Sequence, residues 1–418
     1  MRAKAGKKNA VIPGPTLEDF ADAKRVLTGV AQTTPMELSR YLGEELGQPV
    51  YLKCENLQRT GSYKIRGAYY RMSKLTDEEK SHGVVAASAG NHAQGVAFAA
   101  REQGIKATVF TPVGVALPKL QATRAYGADV VLGGDTILQP FREAKLFAER
   151  TGAIRIPPFD HPDVIAGQAT VGLEILEQTP DVATVVVPIG GGGLMAGVAS
   201  ALKQTAAQQG REIRVIGVQA ENAASYPASM AAGHPVEIEL KPTISDGIAV
   251  GKPGELNFEI IRNAVDEIIT VSDDETASAI LVLLERAKMV VEPSGAAGVA
   301  AILAGKIKAT GPTVVVLSGG NIDPMILERV ISRGMAAAGR FMKLRIPLPD
   351  RPGQLARTSQ IVSDQNANVV EVLHTRHGTG LQISQVELEL HIETRGPEHA
   401  QAVLDALRAD GYEPRVDF

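Results

Sequence analysis

Between about Val50 and Pro324, short runs of β-branched and small apolar residues alternate with longer stretches of helical period: GVVAAS (83–88), ATVFTP (107–112), ADVVLG (128–133), TVVVPIG (184–190), RVIGVQAE (214–221) and TVVVLSGG (313–320). Strands that are apolar along their whole length are those buried on both faces, and the helical stretches between them are the crossovers that parallel strands require. The spacing therefore predicts an α/β core with a parallel sheet covered by helices. After the 184–190 run, Leu194, Val198, Ala201, Leu202 and Thr205 recur at helical spacing, which places Gly190 to Gly193 on a strand-to-helix turn.

Beyond residue 331 the pattern changes. SRGMAAAGR (332–340) is small and flexible in composition and predicts a linker over 332–341. The segment 342–418 reads as a strand (MKLRIPL), a turn through Pro349, Asp350, Arg351, Pro352 and Gly353, and a helix to about Asn366. Two strands joined at His377-Gly378-Thr379-Gly380, a last helix and a terminal strand follow. In VELELHIE, Val386, Leu388, Leu390 and Ile392 alternate with Glu387, Glu389, His391 and Glu393, the signature of a sheet with one wet face. This order is βαββαβ, a ferredoxin-like unit. The expected organisation is a core over 1–331 with a smaller subdomain at about 60–160, the linker, and a tail domain over 342–418.

A chain of 418 residues has room for two or three such domains. The lone cysteine, Cys54, can neither pair within the chain nor build a cysteine-based zinc site, and it fits a reducing compartment, with cytoplasm as the default. A net charge of -4 gives no electrostatic footprint for nucleic acid, and no apolar run approaches the ~20 residues of a membrane span. Met1 to Asn9 carries Arg2, Lys4, Lys7 and Lys8 with no apolar segment after it, so it reads as a basic tail rather than a secretory signal; a short transit peptide stays open.

The glycine turn supports more than one function. Gly191, Gly193 and Ala196 satisfy G-x-G-x-x-(G/A) after a strand, with Glu221 ending the next strand where a ribose-binding acid would lie, so a nicotinamide-dependent oxidoreductase is one reading. The same amides at a helix N-terminus suit any phosphate monoester. A tight turn without a ligand is the third reading. A second motif, Gly61-Ser62-Tyr63-Lys64-Ile65-Arg66-Gly67-Ala68, offers a lysine. Ser88-Ala89-Gly90-Asn91-His92-Ala93-Gln94-Gly95 and Ser318-Gly319-Gly320-Asn321 each follow a strand, and the carboxyl ends of strands are where open α/β sheets bind ligands. A lysine nucleophile, a phosphate cradle and small polar groups for an aromatic heterocycle are the parts needed to hold pyridoxal phosphate.

The order SYKIRGA, SAGNHAQG, GGGGL and SGGN resembles the fold-type II pyridoxal-phosphate enzymes, whose core is tryptophan synthase β-like, and among them the threonine dehydratases (threonine ammonia-lyases). Pro35, Lys53-Cys54-Glu55-Asn56 and Val291-Glu292-Pro293-Ser294-Gly295 are also in the family's style, so the likeness spans nearly the whole chain. The resemblance implies that Lys64 forms the Schiff base with the cofactor and moves protons at the substrate Cα. It assigns Asn91 to the cofactor's phenolic oxygen, the amides of Gly190, Gly191, Gly192, Gly193 and Leu194 to its phosphate, and Ser318 to its ring nitrogen. Ser88, Asn91 and His92 would seat the substrate carboxylate, His92 having a packed scaffold role as its alternative. The implied reaction converts L-threonine to 2-oxobutanoate and ammonia, and L-serine to pyruvate as a side activity. A serine dehydratase, or another hydroxy-amino-acid ammonia-lyase of the family, is the neighbouring reading.

Two departures narrow this. Relatives that racemise serine carry a second serine where this chain has Ala89, so racemisation is expected to be weak. They also hold a divalent metal on acidic groups, whereas the corresponding stretch here offers Gln219, Asn222, Ala223, Ala224 and Ser225, with Glu221 alone acidic; no obligatory divalent metal is expected. Tyr63 stands where phenylalanine is commoner. In the tail, PLPDRPGQLARTSQIV resembles the start of ACT domains, small modules that bind amino acids between paired copies. That likeness implies control by isoleucine or valine and a homodimer or homotetramer; a dimerisation module without a ligand, or a noncatalytic sensor, are the other readings of the tail.

Overall fold

The computed structural model describes residues 13–376 and 385–417, so the basic start and the 377–380 junction lie outside the described residues. The chain divides into two units, Met1–Pro324 and Met325–Phe418. The helix Pro324–Ala337 runs through the first part of the stretch whose composition suggested a flexible linker. Its Met335, Ala336 and Ala337 are small or slender, and these are also strong helix formers.

The first unit contains β1 (Met36–Leu38), β2 (Val50–Lys53), β3 (Val84–Ala87), β4 (Ala107–Thr111), β5 (Asp129–Leu132), β6 (Ile154–Arg155), β7 (Thr184–Pro188), β8 (Arg214–Ala220), β9 (Glu267–Val271) and β10 (Thr313–Val316). All six apolar runs form strands, and they divide between two sheets. One is ordered β1-β2-β10-β7-β8-β9 and the other β5-β4-β3-β6. Every pairing is parallel except β1 with β2. The four additional strands, β1, β2, β6 and β9, are two to five residues long and each carries a charged residue, which hides them from a search for apolar runs.

At the centre of the larger sheet, Val185, Val186 and Val187 of β7 and Val314, Val315 and Val316 of β10 are fully buried, as strands covered on both faces must be. The helix Pro162–Gln178 holds the two sheets in fixed relation. It crosses the helix Lys64–Ser73 where Gly67 meets Gly167; a Cβ on Gly167 would lie 2.6 Å from the Arg66 carbonyl. It crosses the helix Gly193–Gln208 at Gly197, where a Cβ would lie 2.5 Å from the Ile165 carbonyl. Both neighbours therefore approach at backbone distance, and the starts of those two helices are set by one rigid element.

The second unit carries β11 (Phe341–Pro349), β12 (Asn368–Thr375), β13 (Gln385–Glu393) and β14 (Arg415–Asp417) in an antiparallel sheet ordered β12-β13-β11-β14. The helices Gln354–Asp364 and Pro397–Ala409 lie between them in sequence, completing the βαββαβ order. Val386, Leu388, Leu390 and Ile392 are buried with Leu344, Ile346 and Leu407, as the alternation predicted. The other face is polar, with Lys343 paired to the Glu389 carboxylate at 2.7 Å and His391 hydrogen-bonded to it at 3.0 Å. Among the described residues no helix is long and apolar enough to cross a membrane.

Candidate active site

Lys64 is the first residue of its helix, preceded by Gly61-Ser62-Tyr63. That approach is fixed by backbone pairing with the loop after β10: Ser62 forms an antiparallel bridge with Gly319, Tyr63 N donates to the Ser318 carbonyl at 3.2 Å, and Gly320 N donates to Gly61 at 2.9 Å. The loop after β3 closes from the other sheet, where the helix Asn91–Glu102 passes so close that a Cβ on Gly95 would lie 3.1 Å from the Lys64 backbone. The ends of β3 and β10, remote in sequence, thus meet around one lysine.

The Lys64 ammonium donates to the Pro158 carbonyl at 2.9 Å and lies 5.2 Å from the centre of the Tyr63 ring. Burial pushes it down to about 8, against the opposing pull of the Glu292 carboxylate. The next residue, Phe159, connects the lysine to the glycine turn: a Cβ on Gly191 would lie 2.4 Å from its ring and one on Gly193 3.0 Å from its backbone. Gly192 sits at φ +103, where a side chain would also strike the Tyr226 hydroxyl. Three donors fix the Gly191 carbonyl: Tyr226 Oη at 3.2 Å, Asn257 Nδ2 at 3.1 Å and Gly254 N at 3.2 Å. With the carbonyl side held in this way, the amides of Gly190 to Leu194 donate to no protein acceptor among the described residues. Unengaged amides at the start of a 16-residue helix, with no room for a Cβ, form the cradle that a phosphate fits.

Asn91 Nδ2 donates to Glu292 Oε1 at 2.7 Å, while its Oδ1 accepts from Asn321 Nδ2 at 2.9 Å. Glu292 is the residue before the helix Pro293–Leu303, and burial pushes its carboxyl up to about 7, with Asp246 adding to the effect and Lys119, Asn91 and Lys64 opposing it. Ser318 is buried at the end of β10. Ser88 Oγ accepts from Gly90 N at 3.1 Å, and Ser88, Ala89 and Gly90 border a small cavity shared with Thr111, Lys119 and Thr123. His92 is buried with Nε2 2.9 Å from the Ile156 carbonyl, and burial, then Lys64, pushes its imidazole down to about 3. A neutral ring at that position ties the helix Asn91–Glu102 to the segment leading to Pro158.

Behind Lys64 lies a fully buried ion cluster. Arg66 forks onto Glu55 with two contacts of 2.8 Å and onto Glu174 at 2.6 and 3.0 Å, and Lys53 donates to Glu174 at 2.6 Å. Two cations and two anions leave no net charge, so the start of the lysine's helix is anchored without an uncompensated field. Gln219 is committed to the large sheet: it donates to Ile189 O at 3.4 Å and accepts from Tyr226 N at 2.9 Å. Glu221 is exposed past the end of β8.

Sequence reading singled out every strand-end motif that meets here but gave no role to Phe159, Tyr226, Asn257, Glu292 or Asn321. The first three are isolated residues whose partners are glycines 32 to 66 positions away, so no spacing announces them. Glu292 and Asn321 lay inside noted motifs, and their acid and amide chemistry was the available signal.

Residues 27–319 match the family described as pyridoxal-phosphate dependent enzyme, and residues 344–411 match the ACT domain. An L-threonine ammonia-lyase of Thermotoga maritima is 47% identical over 402 residues, covering 96% of this chain and 99% of that protein. Among solved structures, the processed form of threonine deaminase isoform 2 from Solanum lycopersicum superposes with a TM-score of 0.70 at 36% identity, over 80% of this chain and 99% of that one. Maize serine racemase superposes with a TM-score of 0.72 at 33% identity, over 78% of this chain and 99% of that one. A buried lysine bonded to Pro158 beside a Phe159 that packs on the unengaged glycine turn agrees with these matches, which show that the chain belongs to the pyridoxal-phosphate dependent enzyme family and carries an ACT domain at its C-terminal end.

Proposed function

We propose that this enzyme is an L-threonine ammonia-lyase that converts L-threonine to 2-oxobutanoate and ammonia, with L-serine to pyruvate as a side activity. When bound, pyridoxal phosphate supplies an electron sink that acidifies the substrate Cα–H. The amides of Gly190, Gly191, Gly192, Gly193 and Leu194 hold its phosphate, Asn91 its phenolic oxygen and Ser318 its ring nitrogen. A neutral hydroxyl at that nitrogen protonates it less fully than a carboxylate would, which favours loss of a β-leaving group over transamination. Lys64, once released, takes the Cα proton as a neutral amine, and burial is what makes that amine available near neutral pH. Ser88 and the backbone amide of Asn91 orient the substrate carboxylate, while His92 takes the scaffold role, held to the Ile156 carbonyl. The β-hydroxyl leaves as water, gaining one proton to balance the one that Lys64 takes from Cα, and the released enamine tautomerises and takes up water to give the 2-oxo acid and ammonia.

The observation that carries this reading is that Lys64 reaches Pro158 while the adjoining Phe159 packs on the unengaged glycine turn. Purified protein with pyridoxal phosphate should show an absorbance band near ~410 nm that changes on addition of L-threonine as 2-oxobutanoate accumulates. Lys64→Ala should lose both the band and the product. Protein that stays colourless and inactive with added cofactor would overturn the reading. Because Ala89 carries no proton to deliver, D-serine should not accumulate from L-serine.

The division into a catalytic core over 1–331, with a smaller subdomain at about 60–160, a linker at 332–341 and a regulatory domain over 342–418 is part of the proposal. Isoleucine is the effector favoured, as inhibitor, with valine opposing it. A homodimer or homotetramer in the cytoplasm is the setting this implies, and Gln219 in its purely structural bonds supports a core that works without an obligatory divalent metal.

A further inference from the structure

Asn91 has a carboxamide that could be turned either way by a half rotation, and only one orientation presents a donor to the site. Its surroundings choose. Glu292 can only accept when ionised, and its Oε1 lies 2.7 Å from Asn91 Nδ2. Asn321 donates, its Nδ2 lying 2.9 Å from Asn91 Oδ1 and 2.7 Å from the Thr60 carbonyl. Asn321 is itself seated on Gly61, which at φ +71 leaves the space its side chain occupies; a Cβ there would lie 2.2 Å from Asn321 Oδ1. Glu292 is held equally firmly: its backbone N donates to the Gly319 carbonyl at 3.0 Å, and a Cβ on Gly319 would lie 2.4 Å from its Oε1.

From this geometry we infer that Glu292 and Asn321 are positioning residues which together lock the Asn91 carboxamide, so that the second hydrogen on Asn91 Nδ2 is presented to the phenolic oxygen of the cofactor. The inference rests on the cofactor reading above and extends it from one contact residue to the pair that orients it. It has a consequence for pH. Glu292 faces Lys64, Lys119 and Asn91 on the elements around it, with Asp246 as the opposing acid, and burial places its titration at about 7. Above that pH it is a pure acceptor and the lock is complete; below it, a protonated Glu292 can donate, and Asn321 alone is left to select the Asn91 orientation.

The test uses the full chain loaded with pyridoxal phosphate, as wild type, Glu292→Gln, Asn321→Ala, Asn91→Ala and the Glu292→Gln/Asn91→Ala double variant. The readouts are apparent cofactor affinity and the visible spectrum from pH 6 to 9, with thermal melting to show that each variant is folded. Glu292→Gln and Asn321→Ala should each weaken affinity by about tenfold, and Glu292→Gln, which keeps the shape of the side chain, should abolish the spectral inflection near neutral pH. In the Asn91→Ala background Glu292→Gln should add less than about twofold, because a residue acting through Asn91 has nothing left to orient. Additive losses, or a Glu292→Gln spectrum that titrates like wild type, would overturn the inference while leaving the cofactor reading intact. A wild type that takes up no chromophore would overturn both.

Discussion

Lys64 illustrates how one side chain's environment sets its chemistry. In water a lysine is protonated up to about pH 10.4, and a protonated amine has no electron pair to offer a carbonyl. Burial lowers the value here to about 8, so the neutral fraction rises about tenfold per pH unit up to that point and then levels off. The rate of covalent cofactor uptake by apo-protein, followed by absorbance across pH 6 to 10, should therefore climb and reach a plateau above about 8. A rate still rising at pH 10 would show an unperturbed lysine. His92 responds to the same burial in the same direction, and its 2.9 Å contact with Ile156 makes it a neutral tie between segments at working pH. The identity of Lys64 as the reactive group was legible from its motif, but its lowered pKa was not, because desolvation comes from Pro158 and other residues that only folding brings near.

At the scale of elements, the helix Lys64–Ser73 is located by charge and by the absence of side chains. Arg66, two residues beyond the lysine, carries both Glu55 and Glu174 in a buried cluster, and Gly67 lets the helix touch Pro162–Gln178 at backbone distance. Burial opposes ionisation of Glu55, yet Arg66 and Lys53 beside it keep its carboxyl below the usual range. Its contribution to stability is thus present above the ordinary carboxylate pKa and fades as pH falls through the lowered one. Arg66→Ala would leave two carboxylates facing Lys53 alone and should destabilise the core by about 3–5 kcal/mol, measured by chemical denaturation of the full chain. A loss below about 1 kcal/mol, the scale of a surface pair, would contradict this account of the cluster. Strands β7, β8 and β10 were readable because both faces are buried and the runs are continuous. The short strands β1, β2, β6 and β9 were not, since each takes its place by pairing with a neighbour already fixed rather than by its own composition.

At the scale of the molecule, the chain forms two units with separate cores, and the proposed function assigns catalysis to the first and control to the second. The proposed control requires that an effector bind two states of the protein with different affinity. Full-length enzyme assayed below saturating L-threonine should lose activity as isoleucine is added and regain it with valine, while a chain ending at Pro324 that keeps its absorbance band should respond to neither. Equal responses from both chains would place effector binding outside residues 325–418. The sequence by itself determined the α/β core, the βαββαβ tail, the lysine and the glycine turn, because each depends on neighbours within a few positions along the chain: strand period, helix period and the steric freedom of glycine are local properties. Only the tertiary structure decided which strands pair in each of the two sheets, that Pro158 and Phe159 link Lys64 to the glycine turn, and that Glu292 and Asn321 converge on Asn91. These are relations between residues as much as 230 positions apart, fixed by which surfaces can be buried together, and no window of sequence contains them.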